Sequence, residues 1–329
     1  MTAAASPIRL GDLALTPPVF LAPMAGITDL PFRRMVARFG AGLVVSEMVA
    51  SGEMLTAKPS VRAKARVELG LDLPSSVQLA GREARPMAEA AKIVADMGAR
   101  IIDINMGCPA KKVTGGYSGS ALMRDPDHAL RLIEAVTAAV DLPVTLKMRL
   151  GWDDDSRNAP DIAQRAQAAG VRMVVIHGRT RMQFYKGQAD WSAIAAVKDA
   201  VTIPVIANGD IVDANSARAA RAASGADGVM VGRGAQGAPW RLAQIAHALH
   251  GAPAPSIPEG DALSDFISEH YEAMLSFYGS AVGLRLARKH LGWYADQVGA
   301  PLRAEMMVSQ TPEATLALIR AAFGERIAA

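Results

Sequence analysis

The feature that most limits the fold is a pattern that occurs eight times between about residues 17 and 249. Each repeat has a short apolar or β-branched run, a polar turn and an amphipathic, helix-like segment. Such alternation predicts parallel strands joined by helical crossovers. Eight units over about 230 residues predict an α/β fold, a TIM (β/α)8 barrel, with a doubly wound sheet as the alternative. The predicted strands are at 19–21, 43–45, 76–79, 101–104, 144–146, 173–176, 205–207 and 228–231.

The sequence changes character after residue 250. Residues 251–258 are rich in proline and small side chains, which predicts a linker. Three helical patterns follow and predict a small all-helical domain: 263–278, 282–294 and 312–323. We therefore expect a barrel at 1–250 that includes a short N-terminal β-hairpin at 8–15, a linker at 251–260 and a helical domain at 261–329.

The composition limits location and partners only broadly. The single cysteine excludes an internal disulfide and, without a secretory signal, favours a reducing cytoplasm. No run of eighteen apolar residues occurs, so we expect no membrane span. The net charge of +3 permits a nucleic-acid partner only through a local basic patch. The six histidines are scattered and no C-x-x-C or H-E-x-x-H pattern occurs, so we expect no metal site.

Polar or sulfur-bearing side chains lie at or near the ends of all eight predicted strands. In a TIM barrel the carboxyl ends of the strands form the active site, so these side chains predict one shared pocket rather than separate caps in water. They are Met24, Glu47, Gln78, Asn105, Lys147, His177, Asn208 and Arg233.

The turns after the last two predicted strands indicate a phosphorylated ligand. Asn208-Gly209-Asp210 and Gly232-Arg233-Gly234 lie where this fold usually binds phosphate. The glycines let backbone N–H groups approach the ligand, and an arginine adds a charged donor. Residues 232–237 also match the dinucleotide pattern G-x-G-x-x-G, but a linker follows instead of a second strand, which disfavours a Rossmann site.

Cys108 and Lys147 are the candidates for chemistry. Cys108 follows the fourth predicted strand in a loop limited by Gly107 and Pro109, although a packing role is the alternative. A free thiol is largely protonated at neutral pH, which suits proton donation better than metal binding. Lys147 ends the fifth predicted strand, where it could form a Schiff base, as in aldolases, or stabilise an anion.

Basic side chains around the predicted mouth suggest an anionic substrate. Lys111 and Lys112 follow the cysteine loop, and Arg179 follows the sixth predicted strand. In the helical region, three basic residues share one side of a predicted helix, where they could contact RNA phosphates or form a solvated face: Arg285, Arg288 and Lys289.

Several long motifs, in order, resemble the tRNA-dihydrouridine synthase family, and its bacterial B branch in particular. The resemblance spans nearly the whole chain, because a motif of the family's helical domain is included. The matching segments are 21–33 (LAPMAGITDLPFR), 103–113 (DINMGCPAKKV), 176–181 (IHGRTR), 205–211 (VIANGDI), the turn at 232–233 and 285–294 (RLARKHLGWY).

The resemblance implies a flavin-dependent oxidoreductase that uses FMN and NADPH to reduce uridine in the D-loop of tRNA to 5,6-dihydrouridine. Cys108 would donate the proton to C5. The flavin would be held by Pro23, Met24, Ala25, Gln78, Lys147, His177, Asn208, Gly209, Asp210, Gly232 and Arg233. The substrate would be contacted by Asn105, Lys111, Lys112, Arg179, Arg285, Arg288 and Lys289.

Other functions stay open on the sequence alone. A flavin barrel acting on a free pyrimidine would explain the thiol but not the C-terminal helices, and a non-catalytic RNA-binding protein would not need the thiol. We expect a monomer. Two positions depart from the family pattern: residues 115–119 are unusually rich in glycine, and Gly234 replaces a common alanine, a change that we expect to be harmless.

Overall fold

A closed parallel β-barrel forms the centre of the computed structural model, which describes residues 6–56 and 58–324. Eight strands close the barrel, and the pairing of the first with the last excludes the doubly wound alternative. They are β3 (Val19–Leu21), β4 (Leu43–Val45), β6 (Ser75–Ala80), β7 (Ile101–Met106), β8 (Val144–Arg149), β9 (Met173–His177), β10 (Val205–Asn208) and β11 (Gly228–Val231). The predicted TIM barrel is therefore confirmed.

Three short strands accompany the barrel. β1 (Ile8–Leu10) and β2 (Leu13–Leu15) form an antiparallel hairpin, and β5 (Val49–Ala50) pairs with β6. Apolar residues of the hairpin pack with inward-facing strand residues such as Phe20 and Ile101. The hairpin therefore covers one end of the barrel core, and the other end is left for the site.

Helices surround the barrel and pack on it. The largest apolar cluster lies at this contact and contains residues of both the strands and the helices. They are α1 (Leu30–Ala37), α2 (Ser51–Met54), α3 (Pro59–Lys64), α4 (Ala84–Asp96), α5 (Lys111–Thr114), α6 (Pro126–Thr137), α7 (Ala159–Ala168), α8 (Ala195–Ala200), α9 (Ala214–Ser224) and α10 (Arg241–His250). Short 3-10 helices occupy Gly119–Arg124, Ser192–Ile194 and Arg233–Ala235.

Local sequence signals explain where several helices begin and end. The Asp125 side chain accepts a hydrogen bond from the His128 N–H, and Pro126 is the first residue of α6. Gly98 and Gly170 follow α4 and α7 with φ of +94° and +97°, a conformation that glycine adopts without steric cost.

Four helices follow the segment between α10 and residue 260: α11 (Gly260–Tyr278), α12 (Ser280–Val298), α13 (Arg303–Val308) and α14 (Pro312–Phe323). Helices occupy all three predicted positions, and α13 was not predicted. Their apolar residues pack in one cluster with Met35 and Trp240 of the barrel part. The predicted boundary at 251–260 thus stays a prediction. Within the described residues no helix has the length and apolar character needed to span a membrane.

Candidate active site

The loop after β7 holds Cys108 through its main chain. The Asn105 side-chain oxygen accepts hydrogen bonds from the N–H groups of Gly107, at 3.3 Å, and Cys108, at 3.1 Å. The Cys108 carbonyl accepts from the N–H of Ser120, at 3.1 Å, and from its hydroxyl, at 2.9 Å. Gly119 has a φ of +61°, and a Cβ there would lie 2.8 Å from the Cys108 carbonyl oxygen. These contacts place a partly exposed thiol at the barrel mouth.

A buried row of polar side chains orients Asn105. Its amide nitrogen donates to Gln78 Oε1 at 2.7 Å, and Gln78 Nε2 donates to Asp103 at 2.6 Å. The Thr145 hydroxyl donates to the other Asp103 oxygen at 2.6 Å. Burial raises the pKa of Asp103 to about 6, while the hydrogen bonds from Thr145 and Gln78 and the nearby charge of Lys147 act in the opposite direction. Because every member has a partner, the row fixes two predicted site residues in one arrangement.

Lys147 lies beside Asn105 in the register of β7 and β8. Its Nζ donates to Asn208 Oδ1 at 2.9 Å, and Asn208 in turn donates to the Met230 carbonyl at 2.9 Å. Burial lowers the pKa of Lys147 to about 8, against the opposite effect of Asp103. An ammonium group with few partners inside a barrel is suited to stabilising an anion.

Arg149 is a site residue that the sequence analysis missed. It is 1% exposed and donates to three carbonyl groups: Gly107 at 2.8 Å, Thr180 at 2.8 Å and Phe184 at 2.9 Å. It therefore ties the cysteine loop to the loop after β9. Its spacing of two residues from Lys147 on the same strand places both side chains on one face, and this spacing was the available signal.

The Asp210 carboxylate binds two arginine side chains at the predicted phosphate loops. Its carboxylate accepts from Arg179 at 2.5 and 2.9 Å, from the Ala189 N–H at 2.8 Å and from Arg233 at 3.3 Å. Arg179 is 1% exposed and also donates to the carbonyls of Lys186 and Gly187. Its guanidinium is thus fully used within the protein, and a direct contact with substrate stays a prediction. Arg233, in contrast, has a side chain that is 57% exposed.

His177 lies next to this cluster. Its ring is 3.3 Å from Arg179 Nη1 and packs against Tyr185, with ring centroids 6.5 Å apart. Burial, assisted by the surrounding lysine and arginine charges, lowers its pKa well below the usual value. A neutral imidazole is therefore expected at neutral pH.

Two glycines near the phosphate loops are required by close packing. Gly209 has a φ of +113°, and a Cβ there would lie 2.9 Å from the Ala189 Cβ. A Cβ at Gly234 would lie 2.8 Å from the Ile211 carbonyl oxygen. Backbone atoms thus occupy the space that an alanine side chain would need at Gly234, and the expectation that glycine is harmless at this position stays a prediction. Gly232 has no such limit: a Cβ there would lie 3.6 Å from Met24 Sδ, an ordinary contact.

The remaining predicted residues lie at the rim. Pro23 and Met24 are partly exposed and Ala25 is exposed, in the loop after β3. Lys111 and Lys112 are exposed on α5, beside the cysteine loop.

The three basic residues of α12 differ in the contacts that their side chains make. Arg285 is exposed, and no hydrogen bond or ion pair holds its side chain among the residues that the structure describes. Arg288 donates to the Ser309 carbonyl at 2.8 Å, and Lys289 donates to the Gly26 carbonyl. Only Arg285 is thus fully available to a partner. Among residues 6–56 and 58–324, no three His, Cys, Asp or Glu side chains are grouped as a metal site.

Comparison with known proteins identifies the family of this chain. The family model described as Dihydrouridine synthase (Dus) matches residues 20–328. A probable tRNA-dihydrouridine synthase of Rhodobacter capsulatus is 78% identical over 98% of this chain and 99% of its own length. The tRNA-dihydrouridine synthase B of Xanthomonas campestris pv. campestris is 48% identical over 98% of this chain and 97% of its own length.

A solved structure supports the fold alone. Histamine dehydrogenase from Rhizobium sp. 4-9 is 13% identical, with a TM-score of 0.56, and the match covers 81% of this chain and 50% of that chain. The family match, in contrast, spans both the barrel and the C-terminal helices and includes the Cys108 loop. The chain therefore belongs to the dihydrouridine synthase family.

Proposed function

We propose that the chain is a tRNA-dihydrouridine synthase that uses FMN and NADPH to reduce the C5–C6 double bond of a D-loop uridine, with Cys108 as the proton donor to C5. The observation that carries the proposal is the Cys108 loop, which presents a thiol at the barrel mouth close to the buried Lys147. The names of the similar proteins support the substrate and the reaction class.

The donor set at the mouth fits FMN. The exposed guanidinium of Arg233 and the glycine-rich turns at 209 and 232 suit a phosphate group, and Asp210 orients the arginines there. Gln78 and Lys147 offer an amide and a buried ammonium group, which suit the polar edge of a flavin ring. When bound, the flavin would supply the hydride that uracil C6 receives.

The protein's own groups would complete the reduction. Asn105 is held by Gln78 at the mouth, where its side chain can position the uracil beside the thiol. Cys108 Sγ would give its proton to C5, so that the hydride and this proton together saturate the double bond; solvent then reprotonates the thiolate. General acid catalysis of this kind is worth about 10²–10⁴-fold in rate.

The exposed basic residues at the rim would bind the tRNA. Lys111, Lys112 and Arg285 are exposed, and we assign them and residues 261–329 to tRNA binding. The target base must leave the tRNA fold to reach the thiol, which costs a few kcal/mol and less for an unpaired loop base. We further propose a cytoplasmic monomer.

The test is a visible spectrum of the purified protein, first with anaerobic NADPH and then with unmodified tRNA. We expect a flavin band that bleaches with NADPH and returns only when tRNA is added. A band that bleaches but responds to free uracil or orotate instead of tRNA would favour a free-pyrimidine dehydrogenase. Colourless protein after incubation with FMN would overturn the flavin assignment, and borohydride trapping of an aldehyde on Lys147 would then test the aldolase alternative.

A further inference from the structure

The loop between β3 and α1, residues 22–29, is held by groups that are distant in sequence. The Gly26 N–H donates to the carboxylate of Glu47, which follows β4. The Gly26 carbonyl accepts from Lys289 of α12, and the Asp29 carboxylate accepts from the Tyr278 hydroxyl of α11 at 2.9 Å. Two of these three contacts thus come from the C-terminal helices and reach into the barrel.

The contact between Tyr278 and Asp29 involves a buried carboxylate that needs a hydrogen-bond partner. The carboxyl group of Asp29 is 2% exposed, and its two oxygens have separate partners: Oδ1 accepts the N–H of Phe32 at 2.9 Å, as the N-cap of α1, and Oδ2 accepts the Tyr278 hydroxyl. Burial raises the pKa of Asp29 to about 6. A buried carboxyl oxygen that loses its partner is costly, so Tyr278 constrains the end of the loop.

Lys289 holds the middle of the loop. Burial lowers the pKa of its ammonium group, while the nearby Asp29 and Glu47 act in the opposite direction. Its hydrogen bond is to a backbone carbonyl, not to another surface charge. Arg285 lies one helical turn earlier on the same helix, is exposed and makes no such bond among the described residues. Two basic residues of one helix therefore have different environments.

The same loop borders the mouth. Met24 and Ala25 immediately precede Gly26, and the Met24 N–H is fixed by the Thr28 hydroxyl at 2.9 Å. Met24 Sδ also lies 3.6 Å from the position that a Cβ of Gly232, in the loop after β11, would occupy. A change at Gly26 or Asp29 would thus move the backbone that faces both the mouth and the second phosphate loop.

We propose that Lys289 and Tyr278 are positioning residues that hold the loop 22–29 in the shape needed to bind the flavin, so that Lys289 acts on the cofactor rather than on tRNA phosphates. The inference rests on the proposed function, because that function places FMN against Met24 and Ala25. In consequence, the C-terminal helices have two separable tasks: Arg285 faces RNA, and Lys289 and Tyr278 support the cofactor loop.

The experiment compares full-length Lys289→Met, Lys289→Arg and Tyr278→Phe with the contrasting variant Arg285→Met. Three quantities are measured on each: the FMN dissociation constant of the apoprotein, the visible spectrum of bound flavin, and tRNA affinity. We expect Lys289→Met and Tyr278→Phe to weaken FMN binding about tenfold, as loss of a hydrogen bond to a buried or charged group does, and to shift the flavin band. Lys289→Arg should restore most of the affinity, and Arg285→Met should lower tRNA affinity alone.

The outcomes are distinguishable. If Lys289→Met binds FMN as the wild type does and loses tRNA affinity like Arg285→Met, Lys289 is a phosphate contact and the inference is wrong. If the wild type itself binds no FMN, the proposed function is wrong, and the role of the loop in cofactor binding is then wrong as well. Since Lys289 is only half-buried, its variant should fold even if Tyr278→Phe does not, and unfolding midpoints of the apoproteins check this.

Discussion

At the scale of single residues, Cys108 is restrained by its neighbours' contacts with its backbone. Asn105 binds its N–H, Ser120 binds its carbonyl, and among the described residues no hydrogen bond engages the thiol. This arrangement suits a proton donor, because the backbone contacts position the Cys108 sulfur while no hydrogen bond within the described residues engages its thiol. The side chain can therefore be removed with little effect on the loop.

Replacing Cys108 by alanine should lower dihydrouridine formation by about 10²–10⁴-fold, the usual contribution of a general acid. FMN binding should be unchanged, because the loop is held by its main chain. Single-turnover reduction of unmodified tRNA measures the effect, and the flavin content of the same sample is the control. Wild-type rates in this variant would remove Cys108 from the mechanism.

Replacing Gly234 by alanine should destabilise the protein by about 1–3 kcal/mol, as overpacking against fixed backbone does. The new Cβ would lie 2.8 Å from the Ile211 carbonyl oxygen and from the Val212 Cα. Urea unfolding measures the free energy change. Gly52→Ala is the matched control, because a Cβ at Gly52, in α2, would meet nothing within 4 Å. Equal stability of the two variants would show that the backbone around Gly234 shifts to accommodate the added methyl group without cost.

At the scale of elements, α1, α11 and α12 meet in a buried cluster of rings. His270 of α11 and His290 of α12 have ring centroids 5.0 Å apart, and Phe32 of α1 lies against both. His270 Nδ1 is 3.1 Å from the Tyr294 hydroxyl oxygen. Burial lowers the pKa of His270 to about 3, and burial, together with the neighbouring His270 and Lys289, lowers the pKa of His290 well below its usual value. This contact between barrel and helices therefore requires neutral imidazoles.

The cluster predicts a loss of stability in mild acid. Below the unfolded-state pKa of about 6.5, the unfolded chain binds a proton at His270 that the folded chain excludes until about pH 3. The contribution of His270 to stability therefore falls as the pH decreases from about 6.5 to about 3, by up to about 1.4 kcal/mol per pH unit. Asp29 and Asp103, whose pKa values are raised to about 6, act in the opposite direction between about pH 4 and 6.

His270→Gln isolates one histidine from this sum. The free energy of unfolding, measured by urea denaturation between pH 7 and 4.5, should decrease less steeply with acid in the variant than in the wild type. Only the slope is compared, so a constant loss of stability from the lost Tyr294 contact does not affect the result. Identical slopes would mean that His270 has the same pKa in the folded and the unfolded protein.

At the scale of the whole molecule, the basic residues fall into a buried and an exposed class. Arg149 and Arg179 are each 1% exposed and hold loops together, whereas Lys111, Lys112 and Arg285 are exposed. With a net charge of only +3, we expect tRNA affinity to depend on a local patch of exposed basic residues. The weak overall field also means that binding should depend on a few specific phosphate contacts.

The triple variant Lys111→Met, Lys112→Met, Arg285→Met should therefore bind tRNA more weakly and with less salt dependence. Each lost phosphate contact reduces the slope of log K against log salt by about 0.7–0.9, so a decrease of about 2 to 3 is expected if all three contribute. Affinity measured between about 50 and 200 mM salt gives the slope, and flavin content controls for folding. An unchanged slope would mean that the tRNA is bound elsewhere.

Much of the architecture follows from local signals in the sequence. Apolar runs predicted the eight strands, and polar residues toward their carboxyl ends, such as Gln78 and Lys147, lie in the candidate site. Parallel strands of a closed barrel all end at the same side, so order along the chain was enough to group these side chains. The six-residue helix α13 was not predicted, because a helix of fewer than two turns has too little hydrophobic periodicity to be recognised in the sequence.

Which partner each side chain selects was decided by the tertiary structure. Arg179 is buried and reaches Asp210, 31 residues away, and Lys289 reaches Gly26, 263 residues away. Hydropathy and spacing describe the neighbourhood along the chain, but a hydrogen bond depends on which distant atoms the closed barrel and the packed helices bring within about 3 Å. The sequence by itself therefore determined the barrel and the rim on which the chemistry lies, whereas folding in three dimensions decided which charges remain free to act there.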